Sequence, residues 1–97
     1  MNKTEELLAN NAPVVDVRSQ GEFVSGNASG SINIPLNEVM SRIEEFRQMK
    51  QPIILCCRTG NRSGTACSYL TNLGIDCYNA GSWQEVQEAM PYQRENE

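Results

Sequence analysis

The segment 52–63, with the sequence PIILCCRTGNRS, limits the possible folds of this chain more than any other stretch. The residues after its proline, 53–55, are apolar and rich in β-branched side chains, and chain breakers bound the run on both sides. This pattern is typical of a buried strand. The run leads directly into the adjacent cysteines Cys56 and Cys57. The sequence therefore predicts a core strand that carries cysteine at its carboxyl end.

A short turn and a helix are expected to follow this strand. Residues 58–62 form the turn, in which Gly60 is free to adopt a positive φ. Ser63 has a side chain that caps helices well, so we expect it to cap a helix over 64–73. This strand, loop and helix place Cys57 at the mouth of the loop.

Three physical effects are expected to favour the thiolate form of Cys57. Backbone N–H groups of a loop wrapped around the sulfur point inward, the following helix presents its positive N-terminal end, and Arg58 and Arg62 add two permanent cations. A thiolate held in this way is a competent nucleophile. The alternative is a buried structural cysteine, which is how most free cysteines behave. We favour the reactive cysteine because the two arginines and the glycine after it serve no packing purpose.

Four stretches of the chain resemble the rhodanese-like sulfurtransferases, in the same order and with similar spacing. They cover nearly the whole sequence, at residues 14–18 with 22 and 23, 30–36, 57–63 and 74–83. The resemblance implies a three-layer α/β/α domain with a mostly parallel central sheet of about five strands, of which this chain shows four clearly. Alternating strands and helices joined by short connections lead independently to the same α/β class.

The residues and the resemblance together predict sulfur transfer through Cys57. Its thiolate attacks the outer sulfur of a donor such as thiosulfate, and the resulting persulfide passes its sulfur to cyanide, sulfite or a thiol. A persulfide-donating protein is a second kind of donor that fits this chemistry. The reaction requires no cofactor.

The loop after Cys57 is predicted to supply the binding groups. Arg58 and Arg62 are expected to bind the anionic end of the donor, and the loop amides to hold the terminal sulfur of the persulfide. The predicted binding residues are Arg58, Thr59, Gly60, Asn61, Arg62 and Ser63. Asp16 and Arg18 end the first predicted strand, at the edge where parallel sheets collect ligands. The resemblance implies that Asp16 supports the loop by pairing with an arginine.

Two other functions are compatible with these residues. Phosphatases and arsenate reductases on the same fold have five residues between the cysteine and the arginine of the loop. In this chain only four residues separate Cys57 from Arg62. The shorter loop gives a narrower cradle, which suits a single sulfur atom. A non-enzymatic persulfide carrier or protein-interaction module needs no turnover. The intact cysteine and arginines disfavour an inactive module, but a carrier requires the same cradle and stays an alternative.

The composition argues against several classes of partner. The chain has 97 residues, enough for one domain, and a formal charge of −4 with no tract of lysine or arginine, which argues against nucleic acid or an anionic membrane. It contains four cysteines without zinc-finger spacing and no histidine, so we expect neither a metal site nor a cysteine–histidine pair. Residues 1–11 lack an apolar stretch, which favours a cytoplasmic protein. Two of the cysteines are adjacent and a bridge between neighbours is strained, so we expect reduced thiols. The sheet edge next to the missing fifth strand is expected to be poorly covered, so we expect a monomer or a weak dimer.

Sequence patterns predict the remaining elements of a single domain over 1–97, with an ordered core over about residues 4–90 and a polar tail over 91–97. The predicted strands lie over 14–17, 32–34 and 75–79. Helices are predicted over 4–11, capped by Thr4, and over 83–90, with one amphipathic helix over 37–49 that has Met40 on its apolar face. A helical turn is predicted over 20–23, and its Phe23 is expected to pack on the sheet.

Three further positions carry specific expectations. Strand alternation points Cys56 away from Cys57, so we expect Cys56 in the core. Cys67 lies on an apolar helix face and is also expected in the core, unless it faces Cys57 as a resolving thiol. Asn27 stands where members of the family usually carry a histidine, and because no proposed step needs a base there, we assign it no catalytic role.

Overall fold

Four parallel strands form the central sheet of the structure, a computed structural model that describes residues 1–90. They are β1 (Val14–Asp16), β2 (Ile32–Asn33), β3 (Ile53–Cys57) and β4 (Cys77–Ser82), in the spatial order β2-β1-β3-β4. All neighbouring pairs are parallel. The predicted tail over 91–97 lies outside the described residues.

The helices cover both faces of this sheet, as the α/β/α prediction requires. They are α1 (Lys3–Ala9), α2 (Gln20–Ser25), α3 (Leu36–Val39), α4 (Ile43–Arg47), α5 (Asn61–Asn72) and α6 (Trp83–Glu88). One apolar cluster joins α3, α4 and α5 to the face that carries Cys57, and a second joins α1 and α6 to the face that carries Cys56. The three-layer fold with a parallel sheet is therefore confirmed, and the two cysteines alternate as predicted.

The carboxyl ends of β1 and β3 lie side by side at one edge of the sheet. In the register of these strands Asp16 lies opposite Cys56. Cys57, one residue further, lies opposite Ser82 at the end of β4. Since the loops that leave parallel strands meet at this edge, the topology brings the acidic end of β1 and the cysteine end of β3 together.

Helix α1 begins earlier than the sequence pattern indicated. Asn2 is its N-cap: the Asn2 side chain accepts a 2.8 Å hydrogen bond from the Glu5 N–H, and the Glu5 carboxylate accepts one from the Asn2 N–H. This reciprocal capping box satisfies two donors at once. Thr4 lies inside the helix and is buried. The prediction that Thr4 caps the helix is wrong because Asn2 supplies the capping oxygen.

Helix α5 also starts before its predicted position. Gly60 is its N-cap in the left-handed conformation, with φ of 101°, and the helix begins at Asn61. The turn after β3 is therefore limited to residues 58–60. Ser63 lies fully buried in the first helical turn. The left-handed glycine completes the chain reversal, so the Ser63 hydroxyl faces the cysteine instead of capping the helix.

The segment predicted as one helix over 37–49 is divided by a 3₁₀ turn, Met40–Arg42. The 3₁₀ turn winds more tightly, at about three residues per turn, and so changes which side chains face the sheet. Val39 and Phe46 are buried on either side of the turn, but Met40 is 56% exposed. The assignment of Met40 to the apolar face is therefore wrong.

Two predictions near the last strand and the second helix also need correction. The strand predicted over 75–79 begins and ends later, and its last residue, Ser82, caps α6 in a capping box with Glu85. Phe23 on α2 is half-buried and lies outside both apolar clusters. The prediction that Phe23 packs on the sheet is therefore wrong.

Candidate active site

Cys57 lies at the carboxyl end of β3, where the chain turns into α5 and wraps around the sulfur. The Gly60 N–H donates a 3.0 Å hydrogen bond to Cys57 Sγ, and the Ser63 hydroxyl lies 3.4 Å from the same atom. The cysteine is completely buried in this conformation. The loop and the first helical turn therefore form a cradle of hydrogen-bond donors around one sulfur atom.

These donors change the acidity of the Cys57 thiol. Burial raises its pKa, but the Ser63 hydroxyl and the backbone N–H groups of Ser63, Gly60 and Thr59 lower it, and the resulting pKa is about 7. The donors prevail because hydrogen bonds to the anion favour the charged form. The cradle therefore favours the thiolate form of Cys57 near neutral pH.

Asn79 on β4, which was not among the predicted site residues, fixes the geometry of this cradle. Its Nδ2 donates to the Gly60 carbonyl at 3.0 Å, and its Oδ1 accepts hydrogen bonds from the Ser63 hydroxyl at 2.7 Å and the Gly81 N–H at 3.1 Å. A hydroxyl has one proton, so at any moment Ser63 donates either to Asn79 Oδ1 or to Cys57 Sγ, and the backbone amides donate to Cys57 beside it. The only hint of this role in the sequence was that Asn79 is a polar residue in the last predicted strand.

Gly60 is the loop residue whose lack of a side chain the geometry requires. Its φ of 101° disfavours other residues, and a Cβ built there lies 3.3 Å from the Gly81 Cα. Thr59 and Asn61 beside it are exposed. Thr59 contributes its backbone N–H to the cradle. The loop therefore acts on Cys57 mainly through its main chain.

The two loop arginines have different surroundings. Arg58 is exposed, and no ion pair joins it to another residue within 1–90. Arg62 is half-buried and contacts both carboxylate oxygens of Glu22 on α2, at 2.7 and 3.1 Å. This contact lowers the pKa of the Glu22 carboxyl to about 2. Glu22 therefore neutralises one of the two cations that the sequence assigned to the donor, a contact that only the fold reveals.

Asp16 and Arg18 form a buried ion pair at the end of β1, with Arg18 Nη2 2.7 Å from Asp16 Oδ2. The Arg18 guanidinium also donates to the Gly26 carbonyl at 2.7 Å and the Glu22 carbonyl at 3.3 Å, and it lies 5.0 Å from the centre of the Trp83 ring. Asp16 thus pairs with an arginine, but that arginine lies beside it and not in the loop. The pair holds α2, whose Glu22 side chain in turn binds the loop arginine.

The other cysteines lie outside the cradle. Burial and then the Asp16 carboxylate raise the pKa of the Cys56 thiol to about 12, so this thiol stays protonated in the core. Cys67 is half-buried, and its Sγ lies 2.9 Å from Cys77 Sγ. Cys67 therefore contacts that thiol and packs, partly buried, against the first apolar cluster. The alternative of a resolving thiol facing Cys57 gains no support.

Asn27 donates a 2.8 Å hydrogen bond from Nδ2 to the Phe23 carbonyl and so closes the end of α2. In the described part of the chain no group of three or more potential metal ligands comes together. No helix within residues 1–90 combines the length and apolarity that crossing a membrane requires.

Sequence comparisons relate this chain to known proteins. The family model for the rhodanese-like domain matches residues 1–89. The chain is 33% identical over 73 residues to the thiosulfate sulfurtransferase GlpE of Ectopseudomonas mendocina, a match that covers 75% of this chain and 66% of that protein. It is 39% identical over 69 residues to the uncharacterized protein YqhL of Bacillus subtilis, covering 70% of this chain and 54% of that protein. The chain thus spans less than two thirds of the length of either relative.

A solved structure agrees with these matches. The crystal structure of a rhodanese-related protein from Thermoplasma volcanium aligns with a TM-score of 0.73 at 31% identity, covering 88% of this chain and 87% of that chain. The fold and the cradle define a parallel α/β domain built around one cysteine. The chain belongs to the rhodanese-like family of sulfurtransferases.

Proposed function

We propose that this protein transfers sulfane sulfur through a persulfide on Cys57. The Cys57 thiolate attacks the outer sulfur of thiosulfate, the S–S bond of the donor breaks, and sulfite leaves with the bonding electron pair. The negative charge then lies on the terminal sulfur of the persulfide. Cyanide, sulfite or a thiol attacks that sulfur in the second step and restores the thiolate, so the transfer is of the ping-pong type.

The observation that carries this proposal is the set of donors around one sulfur. The Gly60 N–H lies 3.0 Å from Cys57 Sγ, and the neighbouring amides and the Ser63 hydroxyl bring the pKa of the thiol to about 7. Such a thiol is ionised in part at neutral pH and basic enough to remain a good nucleophile. Once the donor is bound, the N–H groups of the loop also stabilise the anion that forms on the persulfide.

The arginines are assigned unequal parts in donor binding. Arg58 is exposed and free of ion pairs within residues 1–90, so it is the first contact for the anionic end of thiosulfate. Arg62 contributes to donor binding only when its ion pair with Glu22 opens and the guanidinium binds the donor instead. Because Cys57 is fully buried, the donor reaches its sulfur only after a shift of the surrounding loop.

A persulfide carrier is the second candidate, and one contact favours it. The ion pair between Glu22 and Arg62 removes one of the two cations that binding of a small dianion would use. A protein persulfide donor brings its own binding surface and needs less positive charge at the loop. Faster sulfur loading from a persulfidated protein than from thiosulfate, with negligible thiocyanate formation, would favour the carrier.

The decisive experiment is intact mass analysis after mixing the protein with thiosulfate. We expect the mass of one added sulfur atom, lost again on addition of cyanide. Trypsin places Cys56 and Cys57 in the same peptide, 51–58, so variants must identify the modified residue. Cys56→Ala should still take up sulfur and Cys57→Ala should not. Uptake by Cys57→Ala, or phosphate release from an aryl phosphate without persulfide, would contradict the proposal.

A further inference from the structure

Cys67 and Cys77 form a second sulfur pair, outside the cradle of Cys57. Cys67 lies on α5, Cys77 is the first residue of β4, and their Sγ atoms are 2.9 Å apart with both thiols free. Both residues are half-buried. A disulfide bond is about 2.05 Å long, so the two sulfur atoms already lie close to bonding distance.

The fold builds this pair in the same way as the contact that holds the active loop. Ser63 and Cys67 are four residues apart on α5 and share one helix face, while Cys77 and Asn79 are two residues apart on β4 and share one strand face. Ser63 Oγ donates to Asn79 Oδ1 at 2.7 Å, and one helical turn further along Cys67 meets Cys77. The two contacts are successive links between α5 and β4.

We propose that Cys67 and Cys77 are a redox modification site that closes reversibly to a disulfide, independently of the sulfur chemistry of Cys57. The oxidant is a small disulfide, RSSR. Cys67 thiolate attacks one sulfur of RSSR and releases RS⁻, and Cys77 thiolate then displaces the second RS⁻ from the mixed disulfide. The two protein thiols give up two protons and two electrons, and RSSR becomes two RSH.

Accessibility determines which of the two thiols reacts first. An open surface groove of about 480 Å³ is lined by Gly64, Cys67, Ser68, Thr71, Asn72 and Asn79. Cys77 is not among the residues that line this groove, and burial, followed by the hydrogen bond with Cys67, raises the pKa of the Cys77 thiol to about 12. Cys67 is therefore the entry point. Closure by Cys77 needs its thiolate, so the second step becomes faster as the pH rises.

The disulfide has a structural consequence for the active loop. It would join α5 and β4 covalently next to the hydrogen bond between Ser63 and Asn79, the two residues that flank the cradle. Oxidation therefore fastens the two elements that hold the loop and leaves the Cys57 sulfur untouched. The site is independent of the proposed sulfur transfer and stands if that proposal fails.

The test uses the full folded chain carrying Cys57→Ala, which removes the reactive thiol, in a buffer of oxidised and reduced glutathione. We expect an intact mass lower by two hydrogen atoms. No lysine or arginine separates Cys67 from Cys77, so trypsin leaves both in the peptide 63–94. Endoproteinase Asp-N then cuts before Asp76, between the two cysteines. The fragments 63–75 and 76–94 should stay joined until a reductant is added.

Matched variants and an unfolded reference complete the test. Adding Cys56→Ala should leave the cross-link intact, whereas adding Cys67→Ser or Cys77→Ser should abolish it. The fold holds the two thiols together in advance, so the oxidation constant against glutathione should be at least about tenfold larger in the folded chain than in urea. Glutathione adducts without a cross-link, or a constant no larger than in urea, would overturn the proposal.

Discussion

Two anionic groups at the same edge of the sheet are held in opposite ways. Asp16, at the end of β1, pairs with the buried guanidinium of Arg18 at 2.7 Å. Cys57, at the end of β3, is surrounded by backbone N–H groups and a hydroxyl, with the Gly60 N–H at 3.0 Å. A buried cation fixes its carboxylate in one place, whereas amide donors stabilise an anion that still reacts. The ion pair therefore serves the fold, and the cradle serves the proposed chemistry.

The adjacent cysteines show the same contrast within one strand. Burial raises the pKa of Cys56 to about 12, while hydrogen bonds bring the pKa of the buried Cys57 to about 7. Burial alone therefore does not determine reactivity in β3. The thiol that faces the loop amides is the proposed nucleophile, and the thiol that faces the second apolar cluster is part of the core.

The largest effect is expected from removing the nucleophile. Cys57→Ala should lower transfer of sulfur from thiosulfate to cyanide by at least about a thousandfold, because no other described thiol lies in the cradle. Cys56→Ala is the matched control, with a change of less than about tenfold. Thiocyanate formation measures both. Equal losses of sulfur-transfer activity in the two variants would contradict the assignment of different roles to Cys56 and Cys57, which face opposite sides of β3.

Breaking the ion pair should affect stability more than chemistry. Arg18→Met leaves the buried Asp16 carboxylate without its cation, which is expected to lower the free energy of unfolding by roughly 3–5 kcal/mol. Arg42→Met, which removes ion pairs on the surface with Glu38 and Glu45, should lower the free energy of unfolding far less, because solvent and salt screen exposed ion pairs. Urea unfolding measures both. Similar losses would contradict the structural role of the Asp16 pair.

Gly60→Ala should weaken the cradle itself. The φ of 101° and the 3.3 Å approach of a Cβ to the Gly81 Cα are expected to shift the Gly60 N–H away from Cys57, at a cost of about 1–2 kcal/mol. A resulting rise of one unit in the pKa of Cys57 would lower activity at neutral pH roughly fivefold. Gly30→Ala has a comparable φ of 78° but open space around it. The activity of the Gly30→Ala variant should stay unchanged. A loss of activity equal to that of Gly60→Ala would contradict the role of Gly60 in the cradle.

The smallest effect is expected from Ser63→Ala. The Ser63 proton already forms the shorter bond to Asn79, at 2.7 Å against 3.4 Å to Cys57. Loss of the hydroxyl should therefore raise the pKa of Cys57 by no more than about one unit. The pH dependence of kcat/KM measures this shift. A rise well beyond that would make the hydroxyl, and not the backbone amides, the main donor.

Much of the structure around Cys57 could be predicted from local sequence. The apolar run, the cysteines and the glycine of the turn lie within twelve residues, 52–63, so the strand, loop and helix around Cys57 follow from short-range pattern. The position of the helix cap did not follow. Both Gly60 and Ser63 are residue types found at helix starts, and only the left-handed backbone at Gly60 decides between them.

The partners of the cradle could not be predicted because they are distant in sequence. Glu22 binds Arg62 from 40 residues away, and Asn79 binds Ser63 from 16 residues away. Each is an ordinary polar residue in its own segment, and its role arises only when α2 and β4 are packed beside the loop. The contact of Cys67 with Cys77 likewise depends on how α5 lies on β4.

A difference titration of the Cys57 thiol shows whether the cradle holds this sulfur as a thiolate. The ultraviolet absorbance of thiolate is followed against pH in the wild-type protein and in Cys57→Ala, and the difference reports Cys57 alone. The thiolate fraction should rise with a midpoint near pH 7, and the pH dependence of sulfur transfer should rise through the same range, since the ionised form reacts. A midpoint at or above the ordinary value of 9.0 would contradict the account.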